Sequence, residues 1–144
     1  MDYQALMKAV KAQSRGHNKD LGIEITEIRE GYAKGVMPVL ERQLNPYGAV
    51  HGGVLFAMAD TMGGVAALTN GFVIVTSTGT INFLRDTGRS RTITGIATSV
   101  KNGRSLSIYN VDLYDEFERH VAQATMTYYS MGKPISEYWD VEKN

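Results

Sequence analysis

Asp60 stands alone as a carboxylate in the run Val54-Leu55-Phe56-Ala57-Met58-Ala59-Asp60-Thr61-Met62. On a helix its neighbours three and four positions away would be Phe56, Ala57, Gly63 and Gly64, and none can pair with a charge. An ionised carboxylate so placed must find hydrogen-bond donors on another element, or its pKa must rise. Two plain readings compete with a chemical one: the acid marks where the helix touches water, or it ties down the backbone of a strand. The pair Gly63-Gly64 bears on the choice, because each mid-helix glycine costs about 1 kcal/mol relative to alanine. Two in a row imply close approach by another backbone or a ligand, beside the acid. At the start of the same run stands His51-Gly52-Gly53. Free N–H groups and the positive end of the helix dipole favour developing negative charge there, and glycine lets a substrate oxygen come near. Asp60 lies about two turns further on, roughly 10 Å along the axis. Acid and helix start therefore face one reacting atom only if a long substrate spans them or a second subunit completes the site.

The elements that must hold these residues follow from hydrophobic periodicity. Val54, Leu55, Phe56, Met58, Ala59, Met62, Val65, Ala66 and Leu68 point in every direction around the axis. A helix of about 16 residues, roughly 24 Å long, is expected with no solvent face. Ahead of it, Tyr3, Leu6, Met7 and Val10 have the spacing of a short amphipathic helix behind an Asp2 cap. "LGIEITEIRE" and "YAKGVMPV" read as strands turning at Gly31, the second ended by Pro38. The linker Leu40 to Val50 is irregular and holds the turn Asn45-Pro46-Tyr47-Gly48.

Beyond the helix, "FVIVTSTGTINFL", "RTITGIATSV", "SLSIYNVDLY" and "HVAQATMTYYSM" read as strands. Asn102-Gly103 suits a type I′ hairpin turn. The apolar parity changes between Ile108 and Tyr109, which predicts a bulge or a strand covered on both sides. Ala122, Ala124, Met126 and Tyr128 share a face with small residues first, as a close helix requires. Thr76, Thr78 and Thr80 give another face too polar for a core, suited to lining a site or a dimer seam. Tyr138 and Trp139, in the tail from Gly132, are free to pack back or to bind a partner. One long helix with consecutive hairpins gives an α+β domain, an antiparallel sheet wrapped around the helix. It spans 1–144, with 1–18 a helical lead-in and 132–144 a tail.

Composition removes several classes of function. The chain has 144 residues, 43% hydrophobic, with Lys+Arg and Asp+Glu both 15, so its net charge points to neither nucleic acid nor membrane. The lack of cysteine excludes disulfides, thiolate metal sites and a cysteine nucleophile. With three histidines a metal site is not expected, and no G-x-S-x-G elbow offers a serine nucleophile. The charged N-terminal run is not a signal peptide, and no window nears the roughly 20 apolar residues of a membrane span. The expected location is cytoplasmic. Charge is uneven locally: Arg85, Arg89, Arg91, Lys101 and Arg104 share their stretch with Asp86 alone, and four acids lie between Asp112 and Glu118. A solvated surface accounts for such runs as readily as a ligand does.

The run "NPYGAVHGGVLFAMAD" closely resembles the signature of hotdog-fold acyl-CoA thioesterases of the PaaI-like (phenylacetic acid degradation) type. The likeness extends over roughly residues 20–131, through "LGIEITEIREGYAKGVMPV", "TINFLRD", "VKNGRSLSIYNVDLYD" and "VAQATMTYYS". It implies a hotdog fold and a thioester hydrolase assembled as a homodimer with composite sites, often paired into tetramers. By the same resemblance Asp60 is the catalytic acid, a general base on water or a nucleophile. Gly52 polarises the thioester carbonyl through its N–H, Asn45 orients substrate or water, and His51 shapes the turn. A strand hydroxyl, Thr76 or else Thr78, holds the water. The substrate implied is a small aromatic or short- to medium-chain acyl-CoA, with no separate cofactor because coenzyme A is part of the substrate. Arg85, Arg89, Lys101 and Arg104 then become candidate contacts for its phosphates, Arg91 less so. The chain departs from the family by placing Asp86 where proline commonly follows Phe-Leu-Arg. A non-catalytic acyl-CoA-sensing hotdog domain is the alternative; a dehydratase fits less well.

Overall fold

The computed structural model describes residues 1–141. Asp2 starts helix α1 (Tyr3–Ala12), its carboxylate accepting the Gln4 N–H at 2.9 Å and the Ala5 N–H at 3.3 Å. A short helix α2 (Gly16–Leu21), too brief for its periodicity to be read, ends at left-handed Gly22 with φ 70°. The hairpin β1 (Glu24–Arg29) and β2 (Tyr32–Pro38) turns at Gly31 as expected. The irregular lead-in contains one 3₁₀ turn, Glu41–Gln43, and delivers the chain to α3 (Gly52–Leu68). Strands β3 (Phe72–Phe83), β4 (Thr92–Asn102), β5 (Leu106–Asp115) and β6 (His120–Pro134) follow. All six strands form one antiparallel sheet in the order β1-β2-β4-β5-β6-β3, wrapped on α3. This is the α+β hotdog architecture.

Small residues on the concave face set how closely helix and sheet approach. Ala33, Ala97, Ala122 and Ala124 are fully buried there. Gly35 and Gly95 pair directly across β2 and β4, and a Cβ on either would stand 2.9 Å from the Met62 side chain. The two glycines form a notch that receives Met62 and brings α3 down onto the middle of the sheet. No helix among the described residues is long and apolar enough to cross a membrane.

Several expectations are corrected. Helix α3 is not enclosed on all sides. Leu55, Met58, Ala59, Met62 and Ala66 are buried, but Gly53 is exposed and Val54, Ala57, Asp60, Thr61 and Gly64 are only half-buried. The reason is geometric, since six strands cover one side of a helix and the sheet stops at edge strand β3. Thr76, Thr78 and Thr80 do not share a face. Thr76 pairs with Tyr128 and Thr78 with Thr127, so Ser77 is a bulge that turns Thr78 and Thr80 to the convex side. The parity change near Ile108 is not a fault of β5, which alternates strictly in burial; the bulge lies opposite, at Val100 of β4. The Asn102-Gly103 hairpin forms, but its strands resume only at Leu106 and Gly103 lacks positive φ. Glycine is needed there because a Cβ would strike the Leu106 carbonyl. The tail is ordered: β6 runs through Gly132 to Pro134, Ile135 is buried, and Trp139 packs against the core. The last part of that tail, 142–144, lies outside the described residues.

Candidate active site

The helix start is built by side chains that occupy nearly every donor around it. His51 is the N-cap of α3. Its Nδ1 accepts the Gly53 N–H at 2.8 Å, and its own N–H donates to the Gln43 carbonyl at 2.8 Å. The imidazole is thus a cap that shapes the turn, and as an acceptor Nδ1 carries no proton. The Gly52 N–H is left over: it makes no hydrogen bond among the described residues. A Cβ on Gly52 would stand 3.0 Å from the Phe83 ring. Asn45 Oδ1 accepts the Tyr47 N–H at 2.9 Å and the Ala49 N–H at 3.1 Å, so that oxygen holds the turn and only the amide Nδ2 is available for other contacts. Asn45 and Gly52 share a cavity of about 440 Å³ with Leu84, Arg85 and Thr87.

Thr87 fixes that cavity. Buried, it accepts the Val50 N–H on Oγ1 at 2.8 Å, tying the loop after β3 to the chain two residues before Gly52. Asp86 accepts the Gly88 N–H at 2.9 Å, and the Ser90 hydroxyl donates to the Thr87 carbonyl. Asp86 therefore makes this turn with its carboxylate. Asp-x-Gly is the sequence signal for such a turn, and it was the available clue to Thr87.

Two donors from two strands meet Asp60. The Thr76 hydroxyl on β3 donates to Asp60 Oδ1 at 2.7 Å. The Tyr128 hydroxyl on β6 donates to the Asp60 carbonyl at 2.7 Å and lies 3.3 Å from Oδ1. Oδ2 makes no hydrogen bond among the described residues, and Asp60 lines a cavity of about 820 Å³. The carboxylate is anchored on one oxygen and open on the other, the arrangement needed to take a proton or attack. Burial, and then the negative charge of Asp60, push the Tyr128 phenol well above its ordinary pKa, so it stays a donor. Its ring stands edge-on to Tyr109, with centroids 6.1 Å apart. Tyr128 was legible only as a residue of the inner face; nothing in the sequence marks its contact with an acid 68 residues away.

Gly63 explains part of the second glycine pair. A Cβ there would collide with the Tyr128 hydroxyl and stand 3.1 Å from ring atoms Cε2 and Cζ. Gly64 meets nothing closer than 3.8 Å, so the close approach concerns one glycine of the two. Gly63→Ala is therefore expected to destabilise the fold: overpacking of about 1–3 kcal/mol outweighs the gain in helix propensity of about 1 kcal/mol. Gly64→Ala is expected to be neutral or stabilising. Urea midpoints for both, with Gly63→Ala/Tyr128→Phe recovering part of the loss, check the assignment.

The cations do not form one cluster within a chain. Arg85 lines the Gly52 cavity, with Arg89 and Arg91 exposed in the same loop. Lys101 and Arg104 lie at the β4–β5 hairpin, level with the rung that joins Thr76, Tyr128, Ser107 and Asn102. Phe83 is seven residues along β3 from that rung, so the two groups are about 20 Å apart. Asp60 and Gly52 are divided likewise. They are eight residues apart on one helix, about 12 Å, and open into different cavities. Among the described residues no three His, Asp or Glu side chains converge on a metal position.

A hotdog sheet around a helix that carries an anchored carboxylate at its middle and an unclaimed N–H at its start defines a class of site suited to polar attack on a carbonyl. Residues 47–122 match the Thioesterase superfamily, and the chain belongs to it. Acyl-coenzyme A thioesterase PaaI of Escherichia coli (strain K12) is 35% identical over 104 residues, 72% of this chain and 74% of that protein. The solved structure of E. coli PaaI superposes with a TM-score of 0.84 at 29% identity, covering 91% of this chain and 96% of that one. A hypothetical thioesterase from Streptococcus pneumoniae TIGR4, solved with coenzyme A, gives a TM-score of 0.74 at 30% identity over 78% of this chain and 88% of that one. That protein has also been solved as two alanine variants, of an aspartate and of a threonine sixteen positions later, the separation of Asp60 and Thr76 here.

Proposed function

We propose that the protein hydrolyses acyl-CoA thioesters at a composite site between two copies of the chain. The observation that carries this reading is the division of labour along α3. Asp60 is held by Thr76 with Oδ2 open, and the Gly52 N–H is unclaimed, yet one chain turns them into separate cavities. A symmetric dimer brings the Gly52 of one copy to the Asp60 of the other, twice. Edge strand β3 is where the copies meet: it is unpaired on its outer side, and Val75 and Phe83 on it are about half exposed. Pairing there also covers the open side of α3, and two such dimers assemble into a tetramer.

In this site the thioester oxygen accepts the Gly52 N–H of one subunit, with Asn45 Nδ2 beside it. Water attacks the carbonyl carbon as Asp60 Oδ2 of the other subunit takes its proton. The carbon–sulfur bond breaks, and the coenzyme A sulfur leaves and is reprotonated. Thr76 keeps the carboxylate aimed. Polarisation by one N–H is worth about 10²–10³ in rate and a positioned base about 10²–10⁴, enough for an already electrophilic thioester without a cofactor. Arg85 and Arg89 from one copy and Lys101 and Arg104 from the other hold the phosphates. The acyl group is small aromatic or short to medium in length. A cysteine-free chain acting on coenzyme A esters suits the cytoplasm.

A panel of acyl-CoAs assayed for free coenzyme A tests the proposal. Turnover of short, medium or aryl esters is expected. Tight binding with no turnover across the panel would instead establish the sensing domain.

A further inference from the structure

The cavity that opens at Asp60 and Thr76 extends past them into an apolar chamber. Its apolar walls include Val10 of α1, Leu68 of α3, Ile74 of β3, and Ile135 and Trp139 of the tail. At about 820 Å³ it falls within the size range of small-molecule sites. Charge is confined to its mouth and rim: Asp60 is the half-buried charged residue of the lining, whereas Lys11 and Glu24 are exposed to water.

The walls supplied by α1 and the tail are fixed in place. Ile135 is buried, and its N–H donates to the Gly71 carbonyl at 2.8 Å. The Trp139 N–H donates to the Ile135 carbonyl at 3.0 Å, and the Asp2 N–H donates to the Val141 carbonyl at 3.2 Å, lacing the tail to the start of α1. Both segments lie outside residues 47–122, the part of the chain that matches the family.

We infer that this chamber receives the apolar acyl tail of the substrate, and that Trp139, with Val10, sets the longest tail accepted. The inference rests on the proposed thioesterase reading and adds to it the determinants of acyl choice. The thioester lies at the mouth beside Asp60, and a tail leading away from it packs on Val10, Ile135 and Trp139 of the protein's own α1 and C-terminal segment. The polar lining from the same region, Lys11, Gln13, Ser14 and Tyr138, is exposed to solvent. Each methylene buried in such a wall is worth about fourfold in kcat/KM. Selection by length is therefore steep until the tail reaches the indole, and reverses beyond it.

Trp139 is the single tryptophan of the chain, so its fluorescence reports the chamber directly. Non-hydrolysable thioether analogues of acyl-CoA, from two to twelve acyl carbons, are titrated into the protein. The emission of Trp139 is expected to shift increasingly with acyl length and not to respond to coenzyme A alone. In parallel, Trp139→Ala and the milder Trp139→Leu are assayed over the matching thioesters. The ratio of kcat/KM for a long ester to that for a short one is expected to rise about sixteenfold, as two methylenes gain room. Val10→Phe is expected to lower it. If wild type turns over acyl-CoAs but the length profile is the same in folded Trp139 variants and the emission ignores acyl length, the chamber is filled by something else, such as the partner subunit, and the inference fails. If wild type turns over no acyl-CoA, it is the thioesterase reading that fails.

Discussion

Asp60→Asn is expected to lower kcat on acyl-CoA by about 10²–10⁴ while leaving the fold intact. Asparagine keeps the shape of the side chain, and its Oδ1 can still accept the Thr76 hydroxyl that holds Asp60 at 2.7 Å. The contact from Tyr128 to the main-chain carbonyl of residue 60 does not depend on the side chain. What disappears is the oxygen that takes a proton, so the loss falls on kcat rather than on KM or thermal stability. Full activity in a correctly folded variant would remove Asp60 from the chemistry. A single turnover in ¹⁸O-water then separates the two routes open to the wild-type acid. Label in Asp60 itself requires nucleophilic attack and a mixed anhydride opened by water at the aspartyl carbon, whereas base catalysis places the label in the released carboxylic acid alone.

The second large effect concerns a group with no side chain. Gly52→Pro is expected to lower kcat by about 10²–10³, because it deletes one N–H aimed at the carbonyl oxygen. The helix tolerates it: proline suits the first helical position, whose N–H has no partner within the helix. His51, at φ −58° and ψ 136°, already has the extended conformation demanded of a residue before proline. Gly52→Ala is the control, since it adds the same contact with the half-exposed Phe83 ring but keeps the N–H. Its activity is expected to stay well above that of the proline variant. The two inactive variants, Asp60→Asn and Gly52→Pro, should complement each other when unfolded together and reassembled. Half of the dimers are then mixed, and each mixed dimer has one intact site of two, giving about a quarter of wild-type activity for a symmetric pair. Mixtures with no recovered activity would place acid and N–H in the same chain.

How much of this could be read in advance differs from residue to residue. Asp60 declared itself by charge type against apolar neighbours, and His51-Gly52-Gly53 by its place at a helix start. Both signals are local, arising within one turn of backbone, and so survive in the linear sequence. Asp2 capped α1 for the same reason. Thr76 was favoured but Thr78 stayed open, because strand alternation holds only while the register holds, and the bulge at Ser77 depends on how β3 seats against β6. The open side of α3 was misread because an all-apolar helix signals that it will be covered without saying by which chain.

By itself, the sequence determined the order of the elements apart from the short α2, the acid and the helix start, and the small residues that let a sheet wrap a helix, since each follows from local periodicity and residue type. Only the tertiary structure decided that Tyr128 reaches Asp60 through the space left by Gly63, that Thr87 pins the approach to Gly52, and that α1 and the tail line one cavity together with the acid. These contacts join residues tens of positions apart, and their geometry depends on strand register and on how closely the helix packs. No local pattern carries that information.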